Sequence, residues 1–163
     1  MSVLGWCQWL EHTPLAFAIA ESTWLFPLIE GSHILALPLS VGLIVIVDLR
    51  LLGLAFRGDP ASRIVTEILR WSKPGFAIMF ITGGVLFMTQ AGKAYGNSFF
   101  RAKLLLLLVL AINAAVYQLV FYPKMPQWDV ARSTPLGARL CAGVSLVVWI
   151  SVIICGRTMA YQL

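Results

Sequence analysis

Gly31-Ser-His33-Ile-Leu-Ala-Leu37-Pro-Leu-Ser40-Val-Gly-Leu-Ile44-Val-Ile-Val47 is a stretch without a single Asp, Glu, Lys or Arg. Three more charge-free runs follow, Pro74–Gly92, Leu104–Pro123 and Leu140–Gly156, so the four runs measure 17, 19, 20 and 17 residues. An α-helix needs about 20 apolar residues, within a range of roughly 17–25, to cross the hydrocarbon core of a bilayer. All four qualify once their flanks are included. The sequence therefore predicts an all-α integral membrane four-helix bundle, with spans over 28–52, 73–92, 100–122 and 137–157. Of the 163 residues 60% are hydrophobic and 12% charged, which excludes an ordinary soluble domain. The spans use most of the chain, so residues 1–163 read as a single transmembrane domain.

The flanks give orientation. The first 30 residues contain Glu11, Glu21 and Glu30 but no Lys or Arg, whereas the first connection carries Arg50, Arg57, Arg63, Arg70 and Lys73. Lys93, Arg101 and Lys103 lie in the second, Lys124, Arg132 and Arg139 in the third, and Arg157 in the tail. With the N-terminus outside, eight basic residues fall on the cytoplasmic side and four outside. The positive-inside rule then favours a bacterial inner-membrane protein with a periplasmic N-terminus. No basic region precedes an apolar core at the N-terminus, so a cleaved signal peptide is not expected. Short helices lying in the interface are expected over 3–10 and 14–25, anchored by Trp6, Trp9 and Trp24, and over 60–70, where Asp59-Pro60 supplies a cap and a first-turn proline. The net charge of +5 resides in residues flanking the spans, which excludes a nucleic-acid patch.

An ionisable side chain inside a span is expensive, and it tends to face a partner group, a cavity or a cofactor. His33 is the histidine of the first span. Glu30, His33, Leu37, Ser40, Ile44 and Asp48 follow at helical spacing, a polar stripe that must look into the bundle. Glu30, one turn away, could accept a ring proton from His33 and so raise the basicity of the other nitrogen. A metal-ligating histidine needs such a partner, and so does a purely structural one. The pattern E-x-x-H occurs once and the other spans hold no acid, which argues against a di-iron carboxylate centre. A metal site built from His33 and His12, with Cys7 nearby, has no recognisable spacing. Asp48 and Arg50 read as a charged helix end on the inner side.

Asn97 or Ser98 is positioned to cap the third span. Arg101 and Lys103, just inside it, read as snorkelling cations or as anion clamps for head groups or propionates. Asn113 is deeper, and together with Thr82 and Ser145 it suits hydrogen bonding between helices. Cys7 and Cys155 would share the outer side, where a disulfide is conceivable.

The pattern W-L-F-P-L-x-E-x-x-H, with D-L-R-L-L-G and F-F-R-x-K after it, resembles a bacterial family of four-helix inner-membrane proteins of unknown function. More loosely, the chain is similar to the copper-resistance protein D family, the J-type protoporphyrinogen oxidases and cytochrome-b-like membrane proteins. That likeness implies a b-type heme in the bundle, with His33 as axial ligand and Lys103 matching a family lysine. His12 would be a second ligand, and Glu30, Arg101 and Lys103 would line the site.

Three functions follow as expectations. The first is heme-based electron transfer, exchanging electrons with quinol or with a larger respiratory or redox complex. The second is a non-catalytic accessory subunit of such a complex. The third is a small transporter or metal-handling protein using the polar face of the first span. None of these readings names a catalytic residue, and the sequence leans away from an enzyme.

Overall fold

The structure, a computed structural model, describes residues 2–130 and 134–161, and its regular elements are all helical. Two short helices come first. α1 (Val3–Glu11) starts at Ser2, whose hydroxyl accepts from Gly5 N at 3.1 Å. α2 (Pro14–Ala20) starts at Thr13, with proline in its first turn, where a missing N–H costs nothing.

α3 (Leu25–Leu37) passes through one π-helical turn, Pro38–Gly42, into α4 (Leu43–Leu52). Pro38 brings no N–H to the ladder, and a widened turn accommodates the loss. Ser40, fully buried there, donates to the carbonyl of Ala36 at 2.7 Å. α4 ends at Gly53, whose φ of 73° is the left-handed conformation that a helix C-cap favours.

α5 (Ala61–Thr89) is a single helix, so the interfacial helix expected over 60–70 and the span expected over 73–92 are continuous through Pro74. After the short α6 (Ala91–Gly96) comes α7 (Ser98–Val116), whose cap Asn97 accepts from Phe99 N at 2.9 Å and Phe100 N at 3.3 Å. α7 continues through a π turn, Tyr117–Phe121, and a tight turn, Tyr122–Lys124, into α8 (Met125–Val130). α9 (Leu136–Ala160) closes the chain. Arg132, counted above among the orienting charges, lies outside the described residues.

Four stretches are long and apolar enough to cross a membrane: Leu25–Leu52, Ala61–Thr89, Ser98–Asp129 and Leu136–Met159. The shortest has 24 residues, which at 1.5 Å per residue is about 36 Å and exceeds the roughly 30 Å hydrocarbon core. Their outward faces are apolar. Leu104, Leu105, Leu108, Ile112 and Leu119 form an exposed stripe on the third, and Leu136, Leu140, Val144, Val147 and Ile154 one on the fourth. Such stripes are stable against lipid and not against water. The chain is a multi-pass membrane protein.

Inside, α3 packs on α5 and α7 packs on α9, while α4 packs on both α5 and α9 and joins the two pairs. Mid-bundle, Val41, Leu110, Trp149 and Val152 form a buried apolar layer with Leu37, Met79 and Leu107 packed against it. A second core, toward the Asp48 end, gathers Val47, Leu51, Val65, Tyr117 and Trp128. The tightest crossing is at Gly75: a Cβ there would lie 2.7 Å from the Leu39 carbonyl carbon and 2.8 Å from Ser40 N.

Long-range polar contacts fix the ends. Asp129 accepts from Ala61 N at 2.6 Å, Ser62 N at 3.2 Å and the Ser62 hydroxyl at 2.5 Å. The start of α5 is thus capped by a carboxylate 68 residues away, and the expected local cap at Asp59-Pro60 is replaced. Asp59 instead offers its carbonyl to Arg50, at 3.0 Å from Nε and 2.7 Å from Nη2. At the other end Glu11 accepts from Gly92 N at 2.9 Å, which ties α1 to α6. Asp129→Ala strips three hydrogen bonds from a helix start and is expected to destabilise the protein by about 2 kcal/mol, at the upper end of cap losses. Thermal unfolding in detergent measures it, and an unchanged midpoint would show that this cap does not hold α5.

Candidate functional site

The apolar mid-bundle layer separates two polar ones. One turn from Leu37, Met79, Leu107 and Val152, every span contributes to the first: His33 from α3, Thr82 and Gly83 from α5, Lys103 from α7, Cys155 and Gly156 from α9. The two long polar side chains each lie over a glycine of a neighbouring helix. A Cβ on Gly83 would meet His33 Cε1 at 3.1 Å, and one on Gly156 would meet Lys103 Nζ at 3.6 Å. The approach to Gly83 is tight enough that a side chain there would displace the imidazole, whereas the Lys103 contact at Gly156 is an ordinary van der Waals one.

The imidazole is oriented by α5. His33 Nδ1 lies 2.9 Å from Thr82 Oγ1, and the Thr82 hydroxyl donates to the carbonyl of Ile78 at 2.6 Å. A hydroxyl has one proton to give. With that proton on Ile78, Thr82 accepts, Nδ1 of a neutral imidazole carries the hydrogen, and Nε2 keeps its lone pair.

This corrects several expectations. Glu30 is exposed on the flank of α3, and His33 Nδ1 pairs with the Thr82 hydroxyl instead. Of the basic pair, Arg101 is exposed while Lys103 turns inward. His12 is exposed beyond the end of α1, its Nδ1 donating to the carbonyl of Gln8 at 2.7 Å. α1 packs on α6, α5 and α2 rather than on α3. Among the described residues, no three of His, Cys, Asp and Glu come together to hold a metal ion. Cys7, Cys141 and Cys155 are free thiols.

The second polar layer lies one turn beyond the apolar layer in the other direction. Asp48, expected as a charged helix end, is 4% exposed and faces inward. It belongs to a cavity of about 230 Å³ that Asn113, Tyr117, Ser145 and Trp149 also line. Asn113 donates across to the carbonyl of Cys141 at 3.0 Å, the interhelical role its depth suggested. Asp48 Oδ2 and the Tyr117 hydroxyl are both buried without a partner. Sequence reading passed over Tyr117, although its place one turn below Asn113 on the same face was a usable signal.

A family model described as a family of unknown function (DUF6644) matches residues 9–162. The chain belongs to this family. The DUF6644 match takes in all four spans and both polar layers. Neither curated proteins nor solved structures give a match.

Proposed function

We propose that this membrane protein holds a b-type heme through His33 and serves electron transfer at that end of the bundle. The supporting observation is the chain from His33 Nδ1–H to Thr82 to the Ile78 carbonyl, which fixes the tautomer that leaves Nε2 free to ligate. The residues fit such a group in two further respects. α4 packs on both α5 and α9, whereas α3 packs chiefly on α5, so the two helix pairs are less closely joined at the His33 level than at the Asp48 level. Lys103, half-buried on α7 in the same layer, offers a cation to a propionate.

Bound heme would supply a one-electron couple, its potential tuned by the axial ligand and by burial. His33 binds and orients. Leu37, Met79, Leu107 and Val152 form an apolar floor that keeps water from the Asp48 side. With His33 as the one histidine of the layer, bound heme would be held by a single histidine, and a high-spin spectrum is the expected readout. Quinol, a periplasmic carrier or a larger respiratory complex are the partners this reading admits. Protein purified after expression with ample heme should show a Soret band at one heme per chain. A colourless preparation overturns the proposal and leaves an accessory-subunit role in its place.

The charge distribution favours an orientation in the bacterial inner membrane with the His33 end outside and the Asp48 end toward the cytoplasm. In a cysteine-free background, Ser2→Cys should react with an impermeant maleimide added outside, and Ser62→Cys only after lysis. The opposite pattern inverts the protein and moves the heme to the cytoplasmic side.

A further inference from the structure

The Asp48 cavity has its own features, which the His33 layer does not explain. Two hydrogen-bonding groups more than nine-tenths buried, the Asp48 carboxylate and the Tyr117 hydroxyl, have atoms with no partner there. An unsatisfied buried polar atom costs about 1–3 kcal/mol, more if charged, and two in one cavity call for an occupant. The rest of the wall is mostly apolar, with Phe76 and Trp149 packed at a centroid distance of 5.8 Å, and it also carries Ser72, Asn113 and Ser145.

The direction of access narrows the occupant. The exposed residues of the lining are Lys73 on α5 and Ala114 and Gln118 on the third span. α5 and α7 do not form a packed pair at this level; they meet at the His33 end, where Phe87 stacks on Phe100 at 5.3 Å. The opening therefore faces sideways, between the second and third spans, toward lipid. A ligand that arrives this way dissolves in the bilayer. Lys73 at the rim disfavours an organic cation. A cavity of 150 Å³ lined by apolar side chains takes up benzene, so about 230 Å³ holds one ring with small polar substituents.

We propose that the Asp48–Tyr117 cavity binds a lipid-soluble hydroxylated aromatic ring of the hydroquinone class. Asp48 accepts a hydrogen bond from one ring hydroxyl and the Tyr117 hydroxyl donates to a ring oxygen, with Phe76 and Trp149 against the ring. The site needs the Asp48 layer alone and not a heme at His33. If that heme exchanges electrons with quinol, this is where the quinol ring sits.

Calorimetric titration of the full chain in detergent micelles with a decyl-substituted hydroquinone, kept reduced, provides the test. One saturable site is expected, with the dimethyl ether of the same ring at least tenfold weaker because it donates nothing. Asp48→Asn and Tyr117→Phe should each weaken the hydroquinone about tenfold, the equivalent of about 1.4 kcal/mol. Asp48→Leu should abolish binding and leave the ligand-free protein equally or more heat-stable, since it removes an unpaired buried polar group. Equal uptake of hydroquinone and ether, or loss of stability in Asp48→Leu, would show a purely structural carboxylate and overturn the proposal. Saturable binding of dodecyltrimethylammonium in place of the ring would overturn it too, in favour of a cation site. Asp48→Asn should leave any Soret band at the other end unchanged, so the two proposals fail separately.

Discussion

His33→Ala is expected to remove the Soret band of heme-loaded protein completely while leaving the bundle folded. Alanine at 33 deletes the one histidine of the layer, and the ring it removes is only half-buried against Thr82 and Gly83. The structural loss is one hydrogen bond and a little packing, about 1–2 kcal/mol. The loss of a ligand bond is total. His12→Ala should retain both the band and its high-spin character, since His12 is exposed and bonded within its own helix end. Thr82→Val tests the tautomer separately. It keeps the shape of the layer but removes the acceptor for Nδ1–H, and the heme should bind more weakly with a shifted potential, as second-shell losses at ligand histidines do. A band that survives His33→Ala unchanged places the heme elsewhere.

Gly75→Ala should disrupt the fold more than any other single methyl addition in the spans. The added carbon would stand 2.7–2.8 Å from three main-chain atoms of Leu39 and Ser40, and main-chain atoms cannot rotate aside as a side chain can. Overpacking costs typically about 1–3 kcal/mol, and here the upper end or beyond is expected because the α3–α5 crossing must open. The π turn at Pro38–Gly42 is seated on that crossing and carries Ser40, whose hydroxyl oxygen also lies 3.1 Å from Met79 Sδ. Gly84→Ala is the matched control, for nothing lies within 4 Å of its added carbon and helix propensity favours alanine by about 1 kcal/mol. Unfolding midpoints and gel-filtration profiles of the two variants should diverge sharply. Equal behaviour would mean that the helices do not approach this closely.

How far the sequence reached is clearest residue by residue. The Asn97 cap and the inward stripe of His33, Ser40 and Asp48 were legible because each depends on local spacing. Glu30 misled for a related reason. A helical step of three places it one turn from His33, yet its own side chain falls on the exposed flank. Lys103 looked like a snorkelling cation two residues from Arg101, but the two point to different sides of α7, one inward and one outward.

By itself the sequence determined the all-α class, the four spans and the rank of His33 as the residue to explain. These follow from the cost of placing charge and unpaired backbone in hydrocarbon, which acts on each segment independently. Tertiary structure alone decided what touches what. It gave the His33 proton to Thr82, 49 residues on, and the cap of α5 to Asp129. It left Asp48 Oδ2 and the Tyr117 hydroxyl facing one cavity without a hydrogen-bond partner. Periodicity fixes which face of a helix turns inward, but the identity and register of the neighbouring helix come from ridges, glycines and proline-widened turns meeting across the bundle. No single segment contains that information.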